Sequence, residues 1–124
     1  MKKKSTNFRA LVSFLSSVPA IEGTIGKGTF KNGCWWVKFK VDVEDPLAWR
    51  VIQELGHVLN YLSLDERLPT VFMPVSPPPY LNGGTEFLSW VIESTVPKFT
   101  PGEATRFLRK RLPSPVHHAR QWRL

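Results

Sequence analysis

Apolar and polar positions alternate most clearly over residues 35–44. Every second side chain of this segment is apolar, and the residues between them include Trp36, Lys38 and Lys40. Because successive side chains of a strand point to opposite faces, this period of two places one face in the core and the other in water. We therefore predict a half-buried antiparallel strand here.

Residues 21–31 are predicted to pair with that strand as the first arm of a hairpin. The glycines in this arm indicate a bend or a bulge. Asn32-Gly33 follows, and this pair favours a two-residue turn because both residues accept positive φ. The same glycines invite comparison with a Walker phosphate loop, but Lys27 is followed by glycine rather than by Ser or Thr. We interpret the glycines as part of the hairpin.

The longest predicted helix begins at Asp45-Pro46. Asp45 can accept hydrogen bonds from the free N–H groups of the helix start, and proline suits the first helical position. Eight apolar residues between Leu47 and Leu62 then fall within about 140° of the helix circumference. A helix of about 17 residues that packs on the hairpin and forms the main core is predicted.

Two further helices are predicted near the ends of the chain. Apolar residues recur at helical spacing over residues 7–17, and Pro19 ends that pattern. Thr100 and Glu103 form a capping box with a proline at the first helical position, so the last helix is predicted to run to about Leu112.

Residues 70–75 and 86–93 are predicted to be two more strands. The second segment is rich in β-branched and aromatic residues, which favours a strand, with a short buried helix as the alternative. The predicted fold is a single α+β domain in the order α-β-β-α-β-β-α, with a four-stranded, mainly antiparallel sheet and helices packed on one face. A flexible basic start over residues 1–6 and a C-terminal tail over residues 113–124 complete it.

The charges of the chain are unevenly distributed. Residues 1–9 carry four Lys or Arg and no acid, and residues 98–124 carry seven Lys or Arg against one acid. The residues between them sum to −3, although the chain as a whole has a net charge of +7. The sequence therefore predicts a mildly acidic folded body with two basic ends, rather than a uniformly basic protein.

Length and cysteine content favour one soluble, cytoplasmic domain. A chain of 124 residues fits a single core, and the one cysteine, Cys34, excludes an internal disulfide. The lysines at the start precede no apolar run long enough for a signal peptide. The uncharged segment 70–85 is interrupted by prolines, so no membrane span is predicted.

No catalytic, cofactor-binding or metal-binding set is predicted. His57 has Glu54 and Tyr61 as helical neighbours that could orient it, but a solvated histidine on an exposed helix face is the favoured interpretation. His117 and His118 are adjacent in the tail, have no carboxylate nearby and lack any familiar ligand spacing. We expect a protein that is not an enzyme.

The tryptophans are the best indication of a protein partner. Trp36 falls on the solvent face of its strand, and Trp49 lies about 130° from the centre of the apolar arc of its helix. Tryptophan and arginine are favoured interface anchors. The alternative is a structural role, in which the C-terminal tail or a second layer covers Trp36, and Trp49 flanks the core. The predicted partner-binding residues are Trp36, Lys38, Lys40, Trp49, Gln53, His57, Arg120 and Trp122.

Nucleic-acid binding is the alternative function. Arg106, Arg109 and Lys110 lie on the polar side of the last helix, and the lysine-rich start could add to them. Lysine and arginine gain affinity for phosphates by releasing counterions. No known nucleic-acid-binding motif is present, and the helix dipole favours cations at a helix C-terminus in any case.

Several elements in the middle of the chain carry a family resemblance: the strand 35–41, the helix after Asp45-Pro46, and the segments 70–74 and 87–93. Over about residues 35–93 the chain resembles the small α+β immunity proteins that bacteria pair with contact-dependent growth-inhibition toxins. The resemblance implies a non-catalytic protein that binds one toxin domain and blocks its active site or its access to a target. Immunity proteins that face basic nucleases are commonly acidic, and the net charge of +7 departs from that pattern. The resemblance carries over no individual functional residue.

Overall fold

The computed structural model of the chain describes residues 6–61, 68–75, 87–114 and 116–122. Within these residues, helices and strands follow one another in the predicted order. The elements are α1 (Arg9–Ser16), β1 (Ile21–Thr29), β2 (Trp35–Asp42), α2 (Ala48–Gly56), β3 (Thr70–Pro74), β4 (Phe87–Ser94) and α3 (Pro101–Arg111). A π-helical turn, His57–Tyr61, continues α2, and a 3₁₀ turn, Ala119–Trp122, follows α3. Residues 1–5 of the predicted basic start lie outside the described residues.

The four strands form one antiparallel sheet in the order β1-β2-β4-β3. The pairing of β4 with both β2 and β3 shows that residues 87–94 are a strand rather than a short helix. In the register, Ile92 lies between Val37 and Phe72, and all three are buried. The predicted α+β fold class with a four-stranded antiparallel sheet is confirmed.

One hydrophobic core lies between the sheet and the three helices. The inward side chains of β2 are at most 1 % exposed, as their period of two predicted. Trp35 is held from two directions: its indole N–H donates to the carbonyl of Phe99 at 2.6 Å, and its ring meets Phe8 edge-on. The same core includes Leu11 and Leu15 of α1, Val51 and Leu55 of α2, and Leu108 of α3. The described helices therefore pack on one face of the sheet. On the other face, which we call the open face, Lys38 and Lys40 of β2 are exposed, whereas Ser89 and Val91 of β4 are buried.

The hairpin between β1 and β2 has a three-residue loop. The N–H of Phe30 donates to the carbonyl of Cys34 at 2.7 Å, and the N–H of Gly33 donates back to Phe30 at 3.0 Å. Gly33 has a φ of +92°, whereas Asn32 does not adopt positive φ. The predicted two-residue turn is therefore wrong. A type I turn followed by a glycine with positive φ connects the same two strands. Asn32 contributes through its side chain, which accepts the N–H of Cys34.

The first strand contains the expected irregularity. The pairing of β1 with β2 shifts register between Glu22 and Gly26, which is a β-bulge, and Gly23 within it has a φ of +75°. The prediction of a bend or bulge is confirmed. A left-handed residue is strained unless it is glycine, so Gly23 allows the strand to bend there.

The second helix is shorter than predicted. Asp45 accepts the N–H of Leu47 through its side chain at 2.8 Å, but regular helix begins only at Ala48. The N-cap is Leu47 and no side chain caps the helix, so the prediction that Asp45 and Pro46 begin it is wrong. Regular α geometry ends at Gly56, where the π-helical turn begins. Six residues of the predicted apolar stripe are nevertheless buried, because the turn continues the same face of the helix into the core: Ala48, Val51, Ile52, Leu55, Val58 and Leu59. Leu47 is half-buried, and Leu62 lies outside the described residues.

Contacts with the edge strand β3 accompany the π-helical turn. The Asn60 carboxamide accepts the N–H of Phe72 at 2.8 Å and donates to its carbonyl at 3.1 Å. The Thr70 hydroxyl donates to the carbonyl of Leu59 at 2.7 Å. The two Asn60 bonds satisfy peptide groups that an edge strand would otherwise leave unpaired, and the Thr70 bond satisfies a carbonyl of the π-helical turn.

The last helix begins with the predicted capping box. The Thr100 side chain accepts the N–H of Glu103 at 3.1 Å, and the Glu103 carboxylate accepts the N–H of Thr100 at 3.2 Å. The helix ends at Arg111, one residue before the predicted end. No helix in the described parts of the chain is long and apolar enough to cross a membrane.

Candidate protein-binding surfaces

The open face of the sheet carries Trp36, Lys38 and Lys40. These residues alternate with the buried positions of β2, so they point away from the helices. Both lysines are exposed. Glu93 lies opposite Trp36 on β4, and Glu22 lies opposite Lys40 on β1, so acids accompany the lysines. The open face therefore has mixed charge rather than a basic character.

Trp36 is half-buried, and the glycines of β1 are the reason. A Cβ atom added at Gly28 would lie 2.6 Å from the Trp36 ring, whereas one added at Gly26 would lie 3.7 Å from it. The indole therefore lies against a strand surface that has no side chains, an arrangement in which an aromatic residue covers glycines of an edge strand. One side of Trp36 is covered by β1, and the glycines of the hairpin have a packing role.

A second surface lies on the outer side of α2. Trp49, Gln53 and His57 are spaced four residues apart, which places them on one side of the helix and its π-helical turn. All three are exposed, and Trp49 is 56 % exposed. Gln53 and His57 border a shallow hollow whose floor includes Ile52. We call Trp49, Gln53 and His57 the α2 surface.

The surroundings of the α2 surface are acidic. Residues 42–60 contain four Asp or Glu and one Lys or Arg, a net charge of −3. The single base, Arg50, forms an ion pair with Glu54 at 3.2 Å. Glu44 is exposed before the helix, and Asp45 is half-buried there. The helix therefore presents an exposed tryptophan in a negatively charged setting, while the chain as a whole is positive.

The two predicted residues of the C-terminal tail have different positions. Arg120 is exposed. Trp122 is 1 % exposed, and its indole N–H donates to the carbonyl of Val116 at 2.8 Å. This burial corrects the expectation that Trp122 is a surface anchor, because a side chain in the core is not available to a partner. Trp122 therefore anchors the described part of the predicted tail to the core, although residues 117–121 are exposed.

The predicted partner-binding residues thus fall in three places. Those of the tail lie in the 3₁₀ turn Ala119–Trp122. Those of β2 lie on the open face of the sheet, and those of α2 lie in the helical layer on its other side. Since the sheet separates the two groups, one flat contact cannot cover both. Sequence reasoning also missed three exposed apolar side chains, because no periodicity marks them: Phe30, Met73 and Val96.

The structure brings no metal-ligating set together within its described residues: no group of three or more His, Cys, Asp or Glu could hold a metal ion there. His57 is exposed, and the Glu54 carboxylate beside it is engaged by Arg50. The chain was also compared with protein-family models, with curated proteins and with solved structures, and none of the three comparisons found a match.

Proposed function

We propose that the chain is a protein-binding module that acts in the cytoplasm without catalysis and contacts its partner through the α2 surface. In its most specific form, the proposal is an immunity protein that binds and neutralises a cognate bacterial toxin domain. One observation carries it: Trp49 is 56 % exposed in the middle of an acidic segment, on a helix whose other side is fully buried.

The exposure of Trp49 supports a contact rather than a packing role. The buried stripe of α2 is complete without it, since Ala48, Val51 and Leu55 are fully buried. Tryptophan buries a large area at the cost of few rotatable bonds, and it is enriched among the residues that dominate binding energy. Gln53 and His57 can form the polar rim that interfaces place around such an anchor.

The local charge supports a partner with a basic surface. Electrostatic complementarity accelerates association and disfavours partners of the wrong sign. Residues 42–60, which include the α2 surface, have a net charge of −3. A basic toxin domain is therefore compatible with this surface, despite the net charge of +7.

The experiment is co-expression with the toxin domain encoded next to this chain, followed by calorimetry on the purified complex. Replacement of Trp49→Ala should weaken binding by about 30-fold or more, as expected for the loss of a dominant anchor. Lys40→Ala is the matched control, because it removes an exposed side chain from the opposite side of the sheet. It should leave the affinity within about threefold.

Two outcomes would contradict the proposal. If the chain does not co-purify with the toxin domain and does not protect cells that express it, the immunity role is wrong. If Lys40→Ala weakens the complex more than Trp49→Ala does, the contact lies on the open face of the sheet instead.

Nucleic-acid binding is a second candidate, and one observation favours it. The C-terminal half of α3 exposes Arg106, Arg109 and Lys110. If these residues bind phosphates, the affinity for an oligonucleotide should fall steeply with salt. Replacing Arg106 and Lys110 with Gln should reduce the log–log salt slope by about two. Absence of binding at low salt in a fluorescence-anisotropy titration would remove this candidate.

A further inference from the structure

The two edges of the sheet differ in how their outward peptide groups are satisfied. At the β3 edge, the Asn60 carboxamide pairs with the N–H and the carbonyl of Phe72, and Pro74 has no N–H. That edge is therefore protected against a further strand. β1 forms the opposite edge of the sheet, and it contains no proline.

The hydrogen bonds of the hairpin show which peptide groups of β1 point outward. The N–H of Phe30 donates to the carbonyl of Cys34, and antiparallel pairs alternate between bonded and non-bonded positions. Thr29 lies opposite Trp35, whose N–H donates to a hydroxyl of β4 on its other side. Thr29, and Lys27 two residues before it, therefore direct their N–H and C=O groups away from β2.

The outward groups of β1 have no partner among the described residues. No hydrogen bond there reaches the peptide groups of Lys27 or Thr29, and both residues are exposed. The regular pairing is limited by the bulge between Glu22 and Gly26 and by the loop after Phe30. Unpaired peptide groups on an edge strand are a template for another strand. We call residues 26–30 the free ladder.

A second copy of the chain fits the free ladder in one antiparallel register. With a two-fold axis at Gly28, Lys27 of each copy lies opposite Thr29 of the other, and the outward groups of both residues are paired. A shift of the second copy by two residues places Lys27 opposite Lys27 in one direction and opposite Lys31 in the other. Because like charges directly opposite each other destabilise a sheet, the register centred on Gly28 is favoured.

The same register gives the exposed Phe30 a contact. Phe30 is 44 % exposed, and the alternation of side chains places it on the same face as Gly26 and Gly28. In the pair of copies, Phe30 lies opposite Gly26 of the second copy, which is an exposed glycine. Trp36 covers Gly28 within the chain in a similar way. Phe30 thus covers a glycine on which no side chain of its own strand lies.

We propose that the chain self-associates through the free ladder, with β1 of two copies paired antiparallel about Gly28 to form one continuous sheet. The ladder is short, so the association is weak and depends on protein concentration. The α2 surface stays accessible, because the turn that follows α2 contacts β3 at the opposite edge of the sheet. Self-association goes beyond the proposed protein-binding function and does not depend on it.

The test is sedimentation equilibrium together with amide hydrogen exchange on the full chain, over about 10 µM to 1 mM protein. The dimer fraction should rise across this range. Exchange at the amides of Lys27 and Thr29 should slow in proportion to the dimer fraction. The Gly28 amide points toward β2, so its protection should be independent of concentration, and it serves as the internal control.

Thr29→Lys should weaken dimerisation by at least about tenfold, because it places a lysine opposite Lys27 at two positions. Adding Lys27→Glu to Thr29→Lys makes these pairs oppositely charged and should restore the dimer. Phe30→Ser should also weaken it. Met73→Ser is the matched control, since it removes an exposed apolar side chain from the other edge strand, and it should change the dimerisation constant by less than about twofold.

The proposal is overturned if the chain remains monomeric over the whole concentration range, or if Thr29→Lys dimerises as strongly as the unchanged chain. Failure of the charge-swapped double variant to dimerise would contradict the register centred on Gly28. Equal losses in Phe30→Ser and Met73→Ser would place the contact elsewhere. Protection of the Lys27 and Thr29 amides only on addition of the toxin domain would assign the edge to that partner instead of a second copy.

Discussion

The α2 region and the C-terminal region lie in the same helical layer, and each contains a tryptophan in a polar stretch of sequence. In the α2 region Trp49 is exposed among acids, whereas in the C-terminal region Trp122 is buried and the surrounding side chains are basic. The difference follows from what else anchors each segment. α2 has a continuous apolar stripe, so its tryptophan is not needed for packing. The segment after α3 has few apolar residues, and Trp122 is the largest of them.

The opposite charges of the two regions have local causes as well. Asp45 lies before Ala48, the first residue of α2, on the side of the positive end of the helix dipole, which favours an acid. Arg109, Lys110 and Arg111 lie in the last turn of α3, where the negative end favours cations. The sign of each surface therefore has a structural reason before any partner is considered. The exposure of Trp49 has no such reason, which makes it the more informative feature.

The largest expected change in stability distinguishes Trp122 from Trp49. Trp122→Ala should lower the free energy of unfolding by about 3–5 kcal/mol, because it leaves a cavity in the core. Trp49→Ala should change it by less than about 0.5 kcal/mol, because the side chain is mostly exposed. Urea denaturation of both variants measures the difference. Similar losses for the two would mean that Trp49 also has a packing role.

An intermediate effect is expected where α2 meets the edge strand. Asn60→Ala should lower the free energy of unfolding by about 1–3 kcal/mol, because both peptide groups of Phe72 lose their partner. Gln53→Ala, on the exposed side of the same helix, is the control and should be close to neutral. Hydrogen exchange at the Phe72 amide should accelerate in Asn60→Ala alone; unchanged protection there would show that the carboxamide does not hold β3.

The smallest effect tests the start of α3. Thr100→Ala should lower the free energy of unfolding by about 1 kcal/mol, because the capping bond to the Glu103 N–H is lost. Thr100→Ser keeps the hydroxyl and should retain most of the stability. Thermal unfolding of the two variants measures the contrast, and an equal loss in both would assign the effect to the threonine methyl group rather than to the cap.

The parts of the fold that could be predicted depend on interactions between near neighbours in the chain. The period of two in β2, the capping box at Thr100 and the bulge in β1 are all local signals. The loop at Asn32 was misassigned because two turn types satisfy the same pair of strands, and neighbouring residues do not distinguish them. The π-helical turn could not be predicted, because the bonds from Asn60 and Thr70 cross between separate elements.

The residues of the candidate surfaces also differ in whether a local sequence pattern could place them. Trp36 and Trp49 could be placed away from the core because each lies in a periodic element whose apolar face is known. Trp122 could not, since the tail has no period from which to assign a face. A cavity beside Arg109 was also missed, because its lining combines residues 13–17 with described residues that lie about ninety positions later in the chain, such as Arg109 and Leu112.

The sequence by itself determined the element order, the fold class, the buried faces of β2 and α2 and the local sign of charge. These properties follow from periodicity and from helix-end chemistry, which act over a few residues. The tertiary structure decided that Trp122 is buried, how the glycines of β1 are covered, and which residues line a cavity. Those properties depend on which surfaces remain after the elements pack, and packing joins residues that the chain keeps far apart.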